Sequence, residues 1–242
     1  LFEDESLVTP DSAFPNNWFS THGDGRIALY PMFAPSRRLE RRHDIIEVLR
    51  ENYVVHKVID YSKYEGEGRF LEGTGSMVLD HIEKIAFVSL SKRSDETILG
   101  KFCTDFGYQP FPFETEGPDG KPVYHTNVML TLGTTLALLG SHTIKNKKRA
   151  AELTRQLEKS GRKIIELSPD QISQFAGNAL ELLTPSGPIL ALSETAHKSL
   201  TQTQIGEIES HLPLLPISVP TIELSGGSLR CMLAGIHLTK RV

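Results

Sequence analysis

Cys231, His125 and Glu72 are residues of this 242-residue chain whose types and spacing together could do covalent chemistry. They stand in step: His125 lies 53 residues after Glu72, Asn178 lies 53 after His125, and Cys231 lies 53 after Asn178. Asn17 precedes Glu72 by 55. A thiol attacks as its thiolate, and with an ordinary pKa of about 8.5 it needs a stabilised anion or a proton acceptor near neutral pH. An imidazole titrates close to that range and can carry protons to and from a reacting group. A carboxylate can hold an imidazole in one tautomer and accept from N–H donors. The second cysteine, Cys103, falls on the apolar side of a predicted helix with Ile98, Phe102 and Phe106 and reads as inert core. Cys231 follows Gly226-Gly227-Ser228 instead. One Cys and one His in phase do not make a zinc set, so neither a metal nor another cofactor is expected.

The elements that must position these residues repeat with them. Strands are predicted over Arg26–Pro31 and Val54–Asp60, around a helix over Arg38–Asn52. Ser76–Asp80 and Ile85–Ser91 read as a strand pair, followed by a helix over Asp95–Phe106 and an extended stretch near Gln109–Phe113. The same order returns as Val128–Leu132, Thr135–Leu139, a helix over Asn146–Lys159, and Lys163–Leu167. It returns again as Ala179–Leu183, Pro188–Leu192, a helix near Gln202–His211, and Pro216–Val219. Similar units at a fixed period bring equivalent positions together around an axis. The five phased residues sit at or just before the first strand of each unit and are expected to converge at one end of a pseudo-fivefold ring. Chance spacing of similar element lengths is the competing reading.

Five stretches carry a family resemblance: TPDSAFPNNW ending at Trp18, LEGTGSMVLD from Leu71, YHTNVML from Tyr124, FAGNALEL from Phe175 and GGSLRCMLAGIHL from Gly226. In this order they resemble the amidinotransferase/arginine deiminase (pentein) superfamily, and within it the arginine-deiminase-related citrulline utilisation hydrolases. The resemblance implies an α/β fold: a five-bladed propeller of strand-strand-helix-strand units forming a single domain over 1–242. It also implies a thiol that attacks the central carbon of a guanidine or ureido group, with Cys231 as nucleophile, His125 as general acid/base and Glu72 orienting that histidine. Asp11 and Asn17 match a pair that contacts the substrate's planar head group. Asn127 and Asn178 are added as substrate-binding residues; for Asn178, bonding to backbone at a turn is an equal reading.

Two departures bear on substrate. Relatives that bind cationic guanidines often carry Asp where this chain has Asn17, and His-x-Asp where it has His125-Thr126-Asn127; Gly75 also replaces the Asp of an acid-x-x-Asp motif. A guanidinium is all donor, whereas a carboxamide offers both N–H and C=O, which suits a ureido group such as that of citrulline. Arginine or dimethylarginine hydrolysis and amidino transfer are the alternatives within the enzyme class. A non-catalytic pentein binding module is the alternative outside it. Arg37, Arg38, Arg41 and Arg42 could meet a substrate carboxylate but read as a solvated helix face. Trp18 reads as packing or a pocket wall.

Composition narrows the partners. A net charge of −4 gives no field for a nucleic-acid backbone, and no apolar run approaches a membrane span. Two cysteines cannot build a disulfide framework, which points to a reducing, cytoplasmic compartment. The chain starts at Leu1, and the last repeat ends after Gly235–Leu238 without its helix and closing strand. The expectation is a truncated or processed form lacking its N-terminal closing segment, whose open edge favours a homo-oligomer.

Overall fold

The computed structural model describes residues 8–117 and 119–241. Its architecture is four small mixed sheets of three strands each. The first contains β1 (Phe19–Thr21), β2 (Arg26–Leu29) and β3 (Lys57–Asp60), and the second β4 (Met77–Asp80), β5 (Ile85–Leu90) and β6 (Gln109–Glu114). The third contains β7 (Leu130–Leu132), β8 (Leu136–Leu139) and β9 (Lys163–Glu166), and the fourth β10 (Leu180–Thr184), β11 (Gly187–Ser193) and β12 (Leu214–Ile217). In each sheet the first strand pairs antiparallel with the second, through a tight turn. The second pairs parallel with the third, because a helix carries the chain back across.

The central strands are nearly continuous apolar runs because they are covered on both faces. Ile85–Ser89 and Leu136–Leu139 are buried throughout. The crossover helices bury one stripe each. Glu96–Phe106 turns in Ile98, Leu99, Phe102, Cys103 and Phe106; Asp95 caps it by accepting from the Ile98 N–H at 3.0 Å. Lys147–Lys159 turns in Leu153 and Leu157 behind an Asn146 cap. Polar bonds tie neighbouring sheets: buried Asp80 at the end of β4 takes Arg162 at 2.6 and 3.1 Å, and at the surface Glu181 of β10 accepts from the Thr134 N–H at 2.7 Å. Among the described residues no helix is long and apolar enough to cross a membrane.

The predicted elements are present with shifted ends, the helix expected over Arg38–Asn52 being split into Pro35–Arg38 and His43–Asn52, and two further differences stand out. The first sheet begins with β1, a three-residue strand absent from the sequence reading, too short to show a period. The segment Gly235–Leu238, where the fifth repeat is expected to end, forms no strand and builds no fifth sheet among the described residues. It lies against the first sheet instead. The His237 N–H donates to Thr21 Oγ1 at 2.7 Å, and Thr21 Oγ1 donates to the Gly235 carbonyl at 2.9 Å. The Val54 N–H then takes the Thr239 carbonyl at 2.8 Å.

Candidate active site

Each phased residue sits on a short turn that leads into the first strand of its unit or, for Cys231, into the C-terminal segment. Asn17 ends the 3-10 turn Pro15–Asn17, Glu72 is the N-cap of Gly73–Ser76, and His125 is the N-cap of Thr126–Val128. Asn178 stands two residues before β10, and Cys231 lies in the 3-10 turn Leu229–Met232. These turns pack together, and buried hydroxyls pin them. Thr126 Oγ1 accepts from the Ser89 N–H at 2.7 Å and donates to the Ser76 carbonyl, joining the His125 turn to β5 and to the Glu72 turn. Thr131 Oγ1 holds the Asn178 turn through Gly177 and Ala179. Two glycines allow the close approach. A Cβ at Gly177 would run into the Val128 carbonyl, and one at Gly75 would stand 2.9 Å from His125 Nδ1 and closer still to the Asn17 amide.

The turns enclose a pocket of about 220 Å³, the scale of an amino acid, lined by Asp11, Asn17, Arg37, Arg93, His125 and Cys231 among others. Phe14, Tyr124 and the Ser225–Gly227 turn complete its wall. Glu72 is fully buried behind His125, with Oε2 2.7 Å from His125 Nε2. Its Oε1 accepts from the Phe33 N–H at 3.0 Å, and Arg93 and Arg37 approach Oε2 at 3.4 and 3.9 Å. Burial alone would push this carboxyl up. The hydrogen bond to His125 and the surrounding positive charge outweigh it and hold Glu72 well below the usual carboxylate range. Burial pushes the His125 imidazole down, against the pull of Glu72. In the tautomer that satisfies the ionised carboxylate, His125 donates to Glu72 from Nε2. Nδ1 faces Gly75, and His125 as a residue lines the pocket.

Three expected roles change. Asn127 and Asn178 do not line the pocket; both are buried, and their Nδ2 atoms each lie 3.4 Å from Cys231 Sγ. Arg37, expected on a solvated face, is 2% exposed. Its guanidinium forks onto the buried carboxylate of Glu40 at 2.9 Å through both Nε and Nη2 and reaches the Phe14 carbonyl at 3.1 Å. In the amide orientation that satisfies both partners, Asn17 Oδ1 accepts from Arg37 Nη1 at 2.9 Å. Burial and charge of this kind are invisible in an Arg-Arg sequence pattern. Arg38, Arg41 and Arg42 lie at the half-buried surface, where Arg41 meets Glu65 and Arg42 meets Asp44. Asp11 and Asn17 do reach the pocket.

Arg93 and Tyr124 were missed. Arg93 stands on the turn after β5, stacked 5.4 Å over the Tyr124 ring, and no periodicity marks it. Tyr124 adjoins His125 in sequence, which is the signal that could have found it; its hydroxyl donates to the Gly226 carbonyl at 2.6 Å. Cys103 is packed in the core as expected, and burial pushes its thiol up to about 12. Trp18 is core as well, at 2% exposed. Among the described residues no group of His, Cys, Asp and Glu has metal-site geometry.

Known structures share this fold. A cyanobacterial arginine dihydrolase of the ornithine-ammonia cycle, ArgZ, superposes with a TM-score of 0.74 at 13% identity over 95% of this chain and 33% of its own. AgrE, in a complex with ornithine and NAD+, gives 0.74 at 17% identity over 96% and 31%. A dimethylarginine dimethylaminohydrolase variant carrying an S-methyl-L-thiocitrulline adduct gives 0.62 at 16% over 93% and 76%. The chain thus spans about a third of the first two proteins. At these identities the likeness establishes the fold. No curated protein matches in sequence. The eukaryotic N,N dimethylarginine dimethylhydrolase family matches over residues 1–238, nearly the whole chain, and it is to this family, within the pentein superfamily, that the protein belongs.

Proposed function

We propose that the protein is a cysteine-dependent hydrolase of a C–N bond in an arginine-type amino acid, and that its preferred substrate carries a neutral ureido group, as citrulline does. The observation that carries this reading is the meeting of Cys231 and His125 on one pocket wall with Glu72 bonded to His125 from behind at 2.7 Å. A fivefold pentein arrangement, with Cys231 at the fifth position, accounts for that meeting.

In the proposed reaction the Cys231 thiolate attacks the ureido carbon, and the C–O π pair moves onto oxygen. Collapse breaks the bond to the ornithine nitrogen. That nitrogen takes a proton which His125 relays from pocket water, leaving an S-carbamoyl adduct. His125, neutral again, takes a proton from an incoming water as its oxygen bonds to the adduct carbon. The C–S bond breaks and the thiolate returns. Carbamate then decomposes to ammonia and carbon dioxide, so citrulline and one water give ornithine, ammonia and carbon dioxide. Arg93 supplies positive charge at the pocket wall for the substrate's carboxylate.

The ureido preference rests on the head-group end. The position where guanidine-binding relatives often place Asp is Asn17 here, and it faces the fixed cation Arg37 rather than an open acceptor site. With its oxygen already taken by Arg37, Asn17 offers a substrate guanidinium no free acceptor. Asp11 remains an acceptor on the wall, 35% exposed, and with the family match it keeps arginine and dimethylarginine hydrolysis as the second reading. The test is ornithine and ammonia release from L-citrulline, L-arginine and dimethylarginine, with Cys231→Ala as control. Ornithine from citrulline, lost in Cys231→Ala, is the expected result. Citrulline formed from arginine or dimethylarginine overturns the ureido preference, and activity surviving in Cys231→Ala overturns the nucleophile.

A further inference from the structure

Tyr124 lines the pocket but takes no part in the scheme above. It is 39% exposed, so its ring is not there to fill the core. Its backbone and that of Arg93 share one anchor. Ser91 Oγ donates to the Tyr124 carbonyl at 2.9 Å and accepts from the Arg93 N–H at 3.0 Å. The Arg93 guanidinium lies 5.4 Å over the Tyr124 ring, within cation–π range, while its Nη1 meets Glu72 Oε2 at 3.4 Å. At its far end the Tyr124 hydroxyl donates to the Gly226 carbonyl at 2.6 Å, 102 residues along the chain. One side chain therefore touches both Arg93 and the glycine turn that leads to Cys231.

That turn needs to be held from outside. Gly226 has a φ of +89°, and two glycines in succession have little conformational preference of their own. Phe14 packs against Gly227, where a Cβ would overlap its ring. Ser228 comes next: its hydroxyl donates to Glu223 at 2.9 Å, and its carbonyl accepts from the Cys231 N–H at 3.0 Å. A displacement of Gly226 is thus passed within a few residues to the turn that carries the thiol. The Tyr124 bond reaches Gly226 from the residue beside His125, so it sets where the nucleophile turn sits relative to Arg93 and His125.

We propose that Tyr124 is a positioning residue, a strut that fixes the span between Arg93 and the Cys231 turn and so selects the length of the substrate's side chain. Its ring holds the cation that meets the substrate's carboxylate, and its hydroxyl holds the turn that presents the thiol to the reacting carbon. A substrate one methylene longer or shorter misplaces that carbon by on the order of an ångström, enough to cost up to about a hundredfold in rate. This rests on the proposed function, in which Arg93 and Cys231 take the two ends of one amino acid, and it adds no chemical step.

The test is steady-state ammonia release from citrulline, from homocitrulline, which is one methylene longer, and from the homologue one methylene shorter. The wild type is compared with Tyr124→Phe and Tyr124→Leu. The wild type favours citrulline; equal use of the three overturns the proposal. Tyr124→Phe keeps the ring under Arg93 and loses the bond to Gly226. Its kcat for citrulline falls about tenfold with KM within about twofold, and the preference for citrulline over homocitrulline narrows about tenfold. Tyr124→Leu also raises KM about threefold, because Arg93 loses its ring. A merely structural defect lowers all three substrates in proportion and does not move their ratio. Where Tyr124→Leu fails to fold, Tyr124→Phe carries the test, since it removes a single oxygen from a partly exposed side chain. An unchanged substrate ratio in Tyr124→Phe overturns the proposal and leaves the proposed function standing. If the wild type turns over arginine and not citrulline, the ureido preference falls alone, and the ratio of arginine to homoarginine reads the strut in its place. A wild type inactive on both removes the function and this inference with it.

Discussion

Gly75→Ala is a small change with a sharp expected effect. Gly75 lies inside the short helix Gly73–Ser76, where alanine would ordinarily stabilise by about 1 kcal/mol over glycine. Here the added Cβ would stand 2.9 Å from His125 Nδ1 and press on the Asn17 amide. Ordinary contact is about 3.5 Å, so the imidazole must retreat by roughly half an ångström and Asn17 by more. Neither has room. His125 and Asn17 are each 2% exposed; His125 is bonded to Glu72 at 2.7 Å and Asn17 to Arg37 at 2.9 Å. Overpacking of this kind costs about 1–3 kcal/mol, enough to cancel the helix gain and leave a net loss of up to about 2 kcal/mol. Displacing a catalytic imidazole on the ångström scale lowers turnover by as much as about a hundredfold. Urea unfolding reads the first effect, and ornithine or ammonia release reads the second. A variant at least as stable as the wild type and fully active would refute the packing of Gly75 against these two side chains.

Two further outcomes follow from buried charge. Glu40→Gln leaves the Arg37 guanidinium without its forked partner, and urea unfolding should show a loss of about 3 kcal/mol, at the low end for a broken buried pair because Glu72 and Asp11 lie at 3.9 and 4.0 Å. His22 is 5% exposed, its ring tilted against Phe106 with centroids 4.0 Å apart; burial holds its imidazole down to about 3, with the His81 and His237 rings adding to the effect. The unfolded chain protonates this histidine below about pH 6.5 while the folded one does not, so its contribution to stability is present above that pH and is lost as pH falls toward about 3. Near pH 5 the loss is on the order of 2 kcal/mol, and His22→Phe should flatten the stability-versus-pH curve there; an unchanged slope refutes the assignment.

Much of the site was legible in the chain. The 53-residue step of Glu72, His125, Asn178 and Cys231 reflects units of equal length, and equal units place equivalent turns side by side whatever their residues are. The crossover helices were legible because their apolar stripes and caps, such as Asp95 and Asn146, are local. β1 was not, since three residues carry no period and the C-terminal segment that bonds Thr21 comes from more than two hundred residues away. The end of the fifth repeat at Gly235–Leu238 was not legible for a similar reason. The partners this C-terminal stretch finds are the side chain of Thr21 and the edge near Val54, both far away in sequence.

By itself, then, the sequence determined the repeat, the helix faces and which residue types meet at one end of the molecule, all properties of periodicity and chain length. Only the tertiary structure decided what those side chains face. It turned Arg37 inward onto Glu40 and Asn17, brought Arg93 and Tyr124 to the pocket, and set Asn127 and Asn178 against the Cys231 sulfur instead of the cavity. Those directions depend on how turns from different units press on one another, where a glycine at 75 or 177 sets the distance of approach. No local pattern encodes that distance, because the groups that fix it are contributed from roughly fifty residues away.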